Sequence, residues 1–143
     1  MIEKTDETSS LELLCRNRIG RLGCVLEEGG PYVVPVNYIY KDGHLYVHSM
    51  PGLKIKSMEA NKSVCLQTDD VSEDGFSWKS VIAFGEFEVV SGEAEIDRVL
   101  SAFYKVFPGF TPVEARLDAG AAAREPIVFR INIKKLTGVR ETS

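Results

Sequence analysis

Two histidines, three cysteines and one tryptophan occur in this chain of 143 residues, and their scarcity excludes several chemistries at once. Cys15, Cys24 and Cys65 form no Cys-x-x-Cys pair, and neither His44 nor His48 stands at zinc-site spacing from them. Their odd number argues against a disulfide framework, so buried free thiols are expected. Positive charge is scarce too. With 17 Lys and Arg scattered among 21 Asp and Glu, the formal net charge is -4, which sets DNA and RNA aside as general partners. No apolar run approaches the roughly 18 residues that span a bilayer. The polar start MIEKTDETSS also lacks the apolar stretch of a signal peptide, so the cytoplasm is the expected location. Gly-x-Gly-x-x-Gly is absent, as are internal repeats, low-complexity linkers and any recognisable Ser-His-Asp or Cys-His spacing. No catalytic side chain is named on this basis, and residues 1–143 are read as one globular domain, for which 44% hydrophobic and 27% charged residues are ordinary values.

What the chain does contain is strand periodicity interrupted by short helices. The stretch PVNYIYKDGHLYVHSMPGLK, Pro35 to Lys54, reads as a strand, an Asp42-Gly43 turn, a second strand, and a Gly-containing loop opening a helix. A helix start carries partial positive charge on its backbone N–H groups. Ser49 and Lys54 would add a hydroxyl donor and a full charge, so an anionic ligand, naturally a phosphate, suits this loop. Pro35 cannot donate a ladder hydrogen bond, which places its strand at an edge or a bulge there.

In chain order, Ser9 and Glu12 have capping-box spacing, predicting a short helix to Asn17 that lays Leu11, Leu14 and Cys15 on one face. Strands are predicted over Ile19 to Leu26, Tyr32 to Tyr40 and Leu45 to Ser49. A helix over Leu53 to Asn61 follows, with Leu53, Ile55 and Met58 as its apolar positions. Further strands are predicted over Ser63 to Thr68 and Ser77 to Val90. Gly85 near the middle of the last of these predicts a bend or bulge. Ile96, Val99, Leu100, Phe103, Tyr104 and Phe107 recur at three and four, predicting a helix from Glu93 to Pro108. A second capping box at Thr111 and Glu114 predicts a helix toward Gly120. Ile127 to Ile133 reads as a last strand before a charged tail. About six strands with inserted helices give an α+β fold, a six-stranded antiparallel split barrel with flanking helices.

Pro35-Val-Asn-Tyr, Tyr46-Val-His-Ser, Gly52-Leu-Lys, and Trp78-Lys-Ser-Val with Gly85 and Glu88, in that order, resemble the pyridoxamine 5′-phosphate oxidase-like split-barrel flavoproteins. Within them the nitroimidazole-resistance branch is most similar, and the ending Arg130-Ile-Asn-Ile-Lys-Lys-Leu-Thr-Gly resembles that branch too. The resemblance implies FMN at the interface of a homodimer. Pro35, Val36, Asn37 and Tyr38 would run beside the flavin ring and offer it backbone contacts. His48 and Ser49 would approach the ribityl chain and phosphate, Gly52, Leu53 and Lys54 would hold the phosphate, and Ser80 would lie near the ring. It further implies an oxidoreductase passing electrons from a nicotinamide donor to a small oxidised acceptor, such as a nitro compound. A flavin carrier or redox sensor without turnover is an alternative, as is a split-barrel protein holding haem or a deazaflavin through His48 or His44. The true oxidases are longer and carry a tryptophan and an arginine near their carboxy terminus; Trp78 is the only tryptophan here, so vitamin B6 oxidation is not expected.

Plainer readings of these residues remain open beside the resemblance. Lys54 reads equally as a solvated helix residue, His48 as an interior histidine, Tyr38 and Tyr40 as packing residues, and His44 as an exposed turn residue. Trp78 reads as core or dimer interface, the latter preferred.

Overall fold

The computed structural model describes residues 1–109 and 127–142. Its elements run β1 (Ile2–Lys4), α1 (Glu7–Arg16), β2 (Ile19–Val25), β3 (Pro31–Lys41), β4 (His44–Ser49), α2 (Leu53–Ala60), β5 (Ser63–Val71), β6 (Trp78–Val89), α3 (Glu93–Val106) and β7 (Ile127–Glu141). The sheet order is β1-β7-β4-β3-β2-β5-β6, and a further pairing of β6 with β7 closes six of these strands into an antiparallel barrel. The expected fold class is therefore correct, with β1 added as a short seventh strand against the end of β7. The helix predicted from Thr111 lies outside the described residues.

Two hydrophobic clusters divide the structure. Inside the barrel, alternate residues such as Leu22, Val36, Tyr38, Leu45, Val47, Leu66 and Phe129 pack together, closed off by Leu14 from α1 and by Ile55 and Met58 from α2. Outside it, α3 covers β4 and β7 through Val99 and Phe103 against Tyr46 and Val128. Tyr104, expected on the packed face of α3, is 51% exposed because that face is narrower than the periodicity implied. On α1 the side chain of Asp6, rather than Ser9, caps the helix, accepting from the Ser9 amide at 2.7 Å. The packed face consequently centres on Leu13 and Leu14, and Cys15 is exposed, contrary to its expected burial; Cys24 is buried and Cys65 half-buried, all three as free thiols.

The longest departure from expectation is β7, which continues eight residues beyond Ile133 to Glu141. The charged sequence after Ile133 hides this continuation, which is held by pairing to β6 as far as Trp78–Glu141. The register shifts between Phe84 and Gly85, leaving Lys134 as the extra residue of a bulge on β7. Gly85 is required at that point: a Cβ there would meet Ile131 Cγ2 at 2.8 Å and the carbonyl carbon of Asn132 at 2.9 Å. Three residues along β6, the cross-strand pair Arg130–Glu88 fastens the same ladder, with Arg130 Nε donating to Glu88 Oε1 at 2.5 Å.

Gly85→Ala is expected to destabilise the protein by about 2 kcal/mol or more, since the opposing atoms include backbone that cannot rotate away. Gly30→Ala, where the nearest atom to a Cβ is Glu28 Oε1 at 3.9 Å, should change stability little. Urea denaturation of the two variants beside the parent measures both.

Candidate functional site

Strands β3 and β4 pair only from Lys41–His44 to Tyr38–Val47, and then part. Below that point Pro31 to Asn37 of β3 pairs with β2 on one side and has no strand partner on the other among the described residues. The direction of its free groups follows from the ladder. Tyr38 N–H donates to the Arg18 carbonyl at 3.0 Å, so Tyr38 and every second residue before it turn their backbone groups toward β2. Val33, Pro35 and Asn37 therefore turn theirs toward the opening. Pro35 stands where its missing N–H breaks no ladder bond, which is the edge position its ring demands.

The facing lip is the end of β4 and the start of α2. Leu45, Val47 and Ser49 share the inward parity of the strand, and Ser49 is fully buried, its hydroxyl donating to the Met50 carbonyl at 3.3 Å. His44, Tyr46 and His48 take the outward parity. His48 accordingly lies under α3, 8% exposed, with its ring 6.2 Å from that of Phe103 and edge-on to it. The side chains of His48 and Ser49, expected to act on neighbouring parts of one ligand, thus leave the strand on opposite faces. His44, expected to be exposed, is half-buried, with its Nδ1 shut away from water.

Helix α2 starts directly after the opening. Its N-cap Gly52 is fully extended and makes no side-chain cap, and a Cβ there would meet nothing within 4 Å. The glycine is therefore not needed by the chain's own packing, and it leaves the first turn of the helix open to close approach. Lys54 is only 7% exposed, so the solvated reading fails. Its ammonium lies near enough to Cys24 to pull that thiol's pKa down, against the stronger upward push of burial. Ser57 accepts from the Glu27 amide at 3.2 Å and ties α2 to the turn between β2 and β3.

Of the residues singled out from sequence, Pro35 and Asn37 therefore turn their backbone groups toward an opening whose facing lip is formed by Ser49, Gly52, Leu53 and Lys54, whereas Val36 turns its backbone toward β2 with its side chain buried in the barrel, and His48 lies on the other face of β4 under α3. Tyr38 does not face the opening: its backbone groups turn toward β2, where its N–H meets the Arg18 carbonyl. Its side chain is fully buried, its hydroxyl donates to the Leu14 carbonyl at 2.6 Å, and burial pushes its pKa up to about 12. Ser80 stands apart. It lies near the start of β6, whereas Ser49 ends β4, and in this antiparallel barrel those two strand ends are opposite ends of the barrel. Ser80 has its own surroundings: Gln67 Nε2 donates both to Ser80 Oγ at 3.0 Å and to Asp69 Oδ2 at 2.9 Å, and Arg21 Nη1 stands 3.7 Å from the same Asp69 oxygen. Sequence reasoning missed Gln67 and Asp69. Counting back across the turn between Val71 and Trp78 puts Asp69 opposite Ser80, so the turn length would have revealed them. Trp78 Nε1 donates to Glu141 at 3.1 Å, at the half-exposed end of the same ladder.

A family model described as pyridoxamine 5′-phosphate oxidase matches residues 6–140. The chain belongs to the pyridoxamine 5′-phosphate oxidase family. An uncharacterised protein of Rhizobium meliloti (strain 1021) is 37% identical to this family member over 70 residues, 49% of this chain and 45% of that protein. The match thus spans less than half the length of that curated relative. Among solved structures, a FAD-binding protein of Mesorhizobium loti is 32% identical, covers 99% of both chains and superposes with a TM-score of 0.79. A candidate 5-nitroimidazole antibiotic resistance protein of Bacteroides thetaiotaomicron shares the fold at 20% identity and a TM-score of 0.73, over 98% of this chain and 89% of that one. No described helix of this family member is long and apolar enough to cross a membrane.

The burial of His48 has a pH consequence. Desolvation lowers its pKa in the folded protein from the ordinary 6.5, so as pH falls the unfolded chain takes up this proton first. The stability due to neutral His48 is complete above about 6.5 and is lost as pH drops from there toward the depressed folded value. The urea midpoint should therefore fall between pH 7.5 and pH 5.5, and His48→Gln should reduce that difference.

Proposed function

We propose that this family member binds a flavin mononucleotide in the opening between β3 and β4. The reading rests on one observation: the edge of β3 at Val33, Pro35 and Asn37 faces a lip carrying Ser49, Gly52 and Lys54. A strand edge offers alternating donors and acceptors, which suit the polar rim of an isoalloxazine. The first turn of α2 with Lys54 and Ser49 suits the terminal phosphate. A bound flavin supplies the two-electron chemistry itself, so the protein's part is to bind and orient it and to limit water. On this reading the protein is an oxidoreductase taking electrons from a nicotinamide donor and passing them to a small oxidised acceptor, a nitro compound being the case the sequence suggests. A second reading is favoured by the Mesorhizobium relative's description: the same opening holds FAD, with its adenylate outside.

The functional unit is a homodimer. Ser49 and Ser80 occupy opposite barrel ends, so one flavin meeting both would take them from different copies of the chain. An apolar groove of about 360 Å³ on the outer face of β2, β3, β5 and β6, lined by Val25, Val33, Cys65 and Phe84 among others, supports this pairing. Val33 there is 67% exposed in the single chain.

Reconstitution with FMN or FAD, gel filtration and chromatography of the released flavin test the cofactor, and light scattering tests the dimer. A protein that retains neither flavin, or a monomer that retains one, contradicts the proposal. Within it, Lys54→Met should weaken FMN by roughly tenfold or more while sparing riboflavin, since a charge-assisted bond to phosphate is worth about 1.5–3 kcal/mol. Ser49→Ala should act in the same direction but by less. Equal weakening of both ligands would remove Lys54 from the phosphate.

A further inference from the structure

Gln67, Asp69 and Arg21 have no role in the binding just described, yet they form an ordered chain of polar contacts that ends on Ser80. All four residues lie on the outer face of adjacent strands. Asp69 stands directly opposite Ser80 in the β5–β6 ladder, and Arg21 opposite Gln67 in the β2–β5 ladder. The direction of the hydrogen bonds is set by charge. Ionised Asp69 can only accept, so it takes one N–H of Gln67 at 2.9 Å and fixes which end of the amide faces inward. The second N–H of the same nitrogen then points at Ser80 Oγ, 3.0 Å away. A serine oxygen already accepting from an amide turns its own hydroxyl proton elsewhere. Ser80 is only half-buried, so that proton is offered outward from the face of the sheet.

We infer that Gln67 is a positioning residue for the flavin, holding Ser80 as a hydrogen-bond donor to an acceptor atom of the isoalloxazine ring. Arg21 Nη1, 3.7 Å from the same Asp69 oxygen, pairs with the carboxylate and helps hold it against the amide. The inference rests on the flavin reading above and deepens it, because it states the polarity of one contact. A fixed donor favours the electron-rich reduced ring, in which negative charge gathers on the ring's acceptors, over the oxidised ring. A serine free to rotate would stabilise the two states more equally.

Gln67→Leu removes both N–H groups while keeping similar bulk. Gln67→Glu places an acceptor against Ser80 and draws the hydroxyl proton inward. Both variants should bind oxidised riboflavin about three- to tenfold more weakly, the equivalent of one neutral hydrogen bond, and both should lower the midpoint potential of the bound flavin. Ser80→Ala should do the same, and Gln67→Leu combined with Ser80→Ala should be no worse than Ser80→Ala alone, because the two residues make one contact. Gln67→Asn, which retains the amide, should recover part of the potential. Thermal denaturation of the apoproteins separates this from a structural role: variants that lose stability but leave the flavin potential unchanged would overturn the inference, as would fully additive effects of Gln67→Leu and Ser80→Ala. A parent protein that retains no flavin would overturn the reading beneath it and this inference together.

Discussion

The antiparallel ladder from Trp78–Glu141 to Val89–Phe129 ties the last strand of the chain to β6, and that closure places everything else. An open six-stranded sheet would leave β6 and one face of the core to water; closing it buries Leu22, Leu66, Phe129 and their neighbours in one interior. Closure needs local curvature, and the Lys134 bulge opposite Gly85 supplies it, since there the two backbones approach more closely than any side chain allows. With the ring closed on that side, β3 and β4 can separate below Tyr38–Val47 without the barrel losing its interior. The opening is thus a consequence of where the chain put its strongest pairing.

Much of this was legible because it depends on local rules. Asp42-Gly43 turns the central hairpin with both residues at positive φ, 50° and 80°, which is the backbone such a two-residue connection requires. Pro35 announced an edge because a missing N–H has only a few tolerable places in a sheet. Gly85 announced the bulge for a similar reason. The continuation of β7 was illegible because Lys134 and Lys135 break the apolar alternation, and only pairing with a distant strand holds those residues extended. The three residues of β1 are all exposed, so no periodicity could mark them.

The candidate site divides along the same line. Its members close in sequence, Pro35 to Lys54, come together because a hairpin returns the chain to its own edge and α2 starts where β4 stops. The face each side chain takes was harder to foresee. Strand parity sends Ser49 inward and His48 outward, although the two are adjacent in sequence and were read as neighbours on one ligand. For Lys54 the sequence allowed both a phosphate-holding and a solvated helix residue; its burial removes the second, and that burial depends on how α2 lies against β2, which no pattern within the helix specifies.

Ser80 shows how strand direction separates residues that sequence motifs group together. A residue near the start of β6 cannot share a ligand with the end of β4 in the same barrel, whatever its rotamer, because the strands alternate in direction and the two termini face opposite ways. Either Ser80 is a structural serine satisfied by Gln67, or it serves a ligand seated on a second copy of the chain. The proposed homodimer takes the latter. A structural hydroxyl needs one partner, whereas Gln67, Asp69 and Arg21 together fix the direction of the bond at a half-exposed position, where water would satisfy the group without them. Ordering three side chains costs conformational entropy, which their own hydrogen bonds offset in part and a ligand held by Ser80 would offset further.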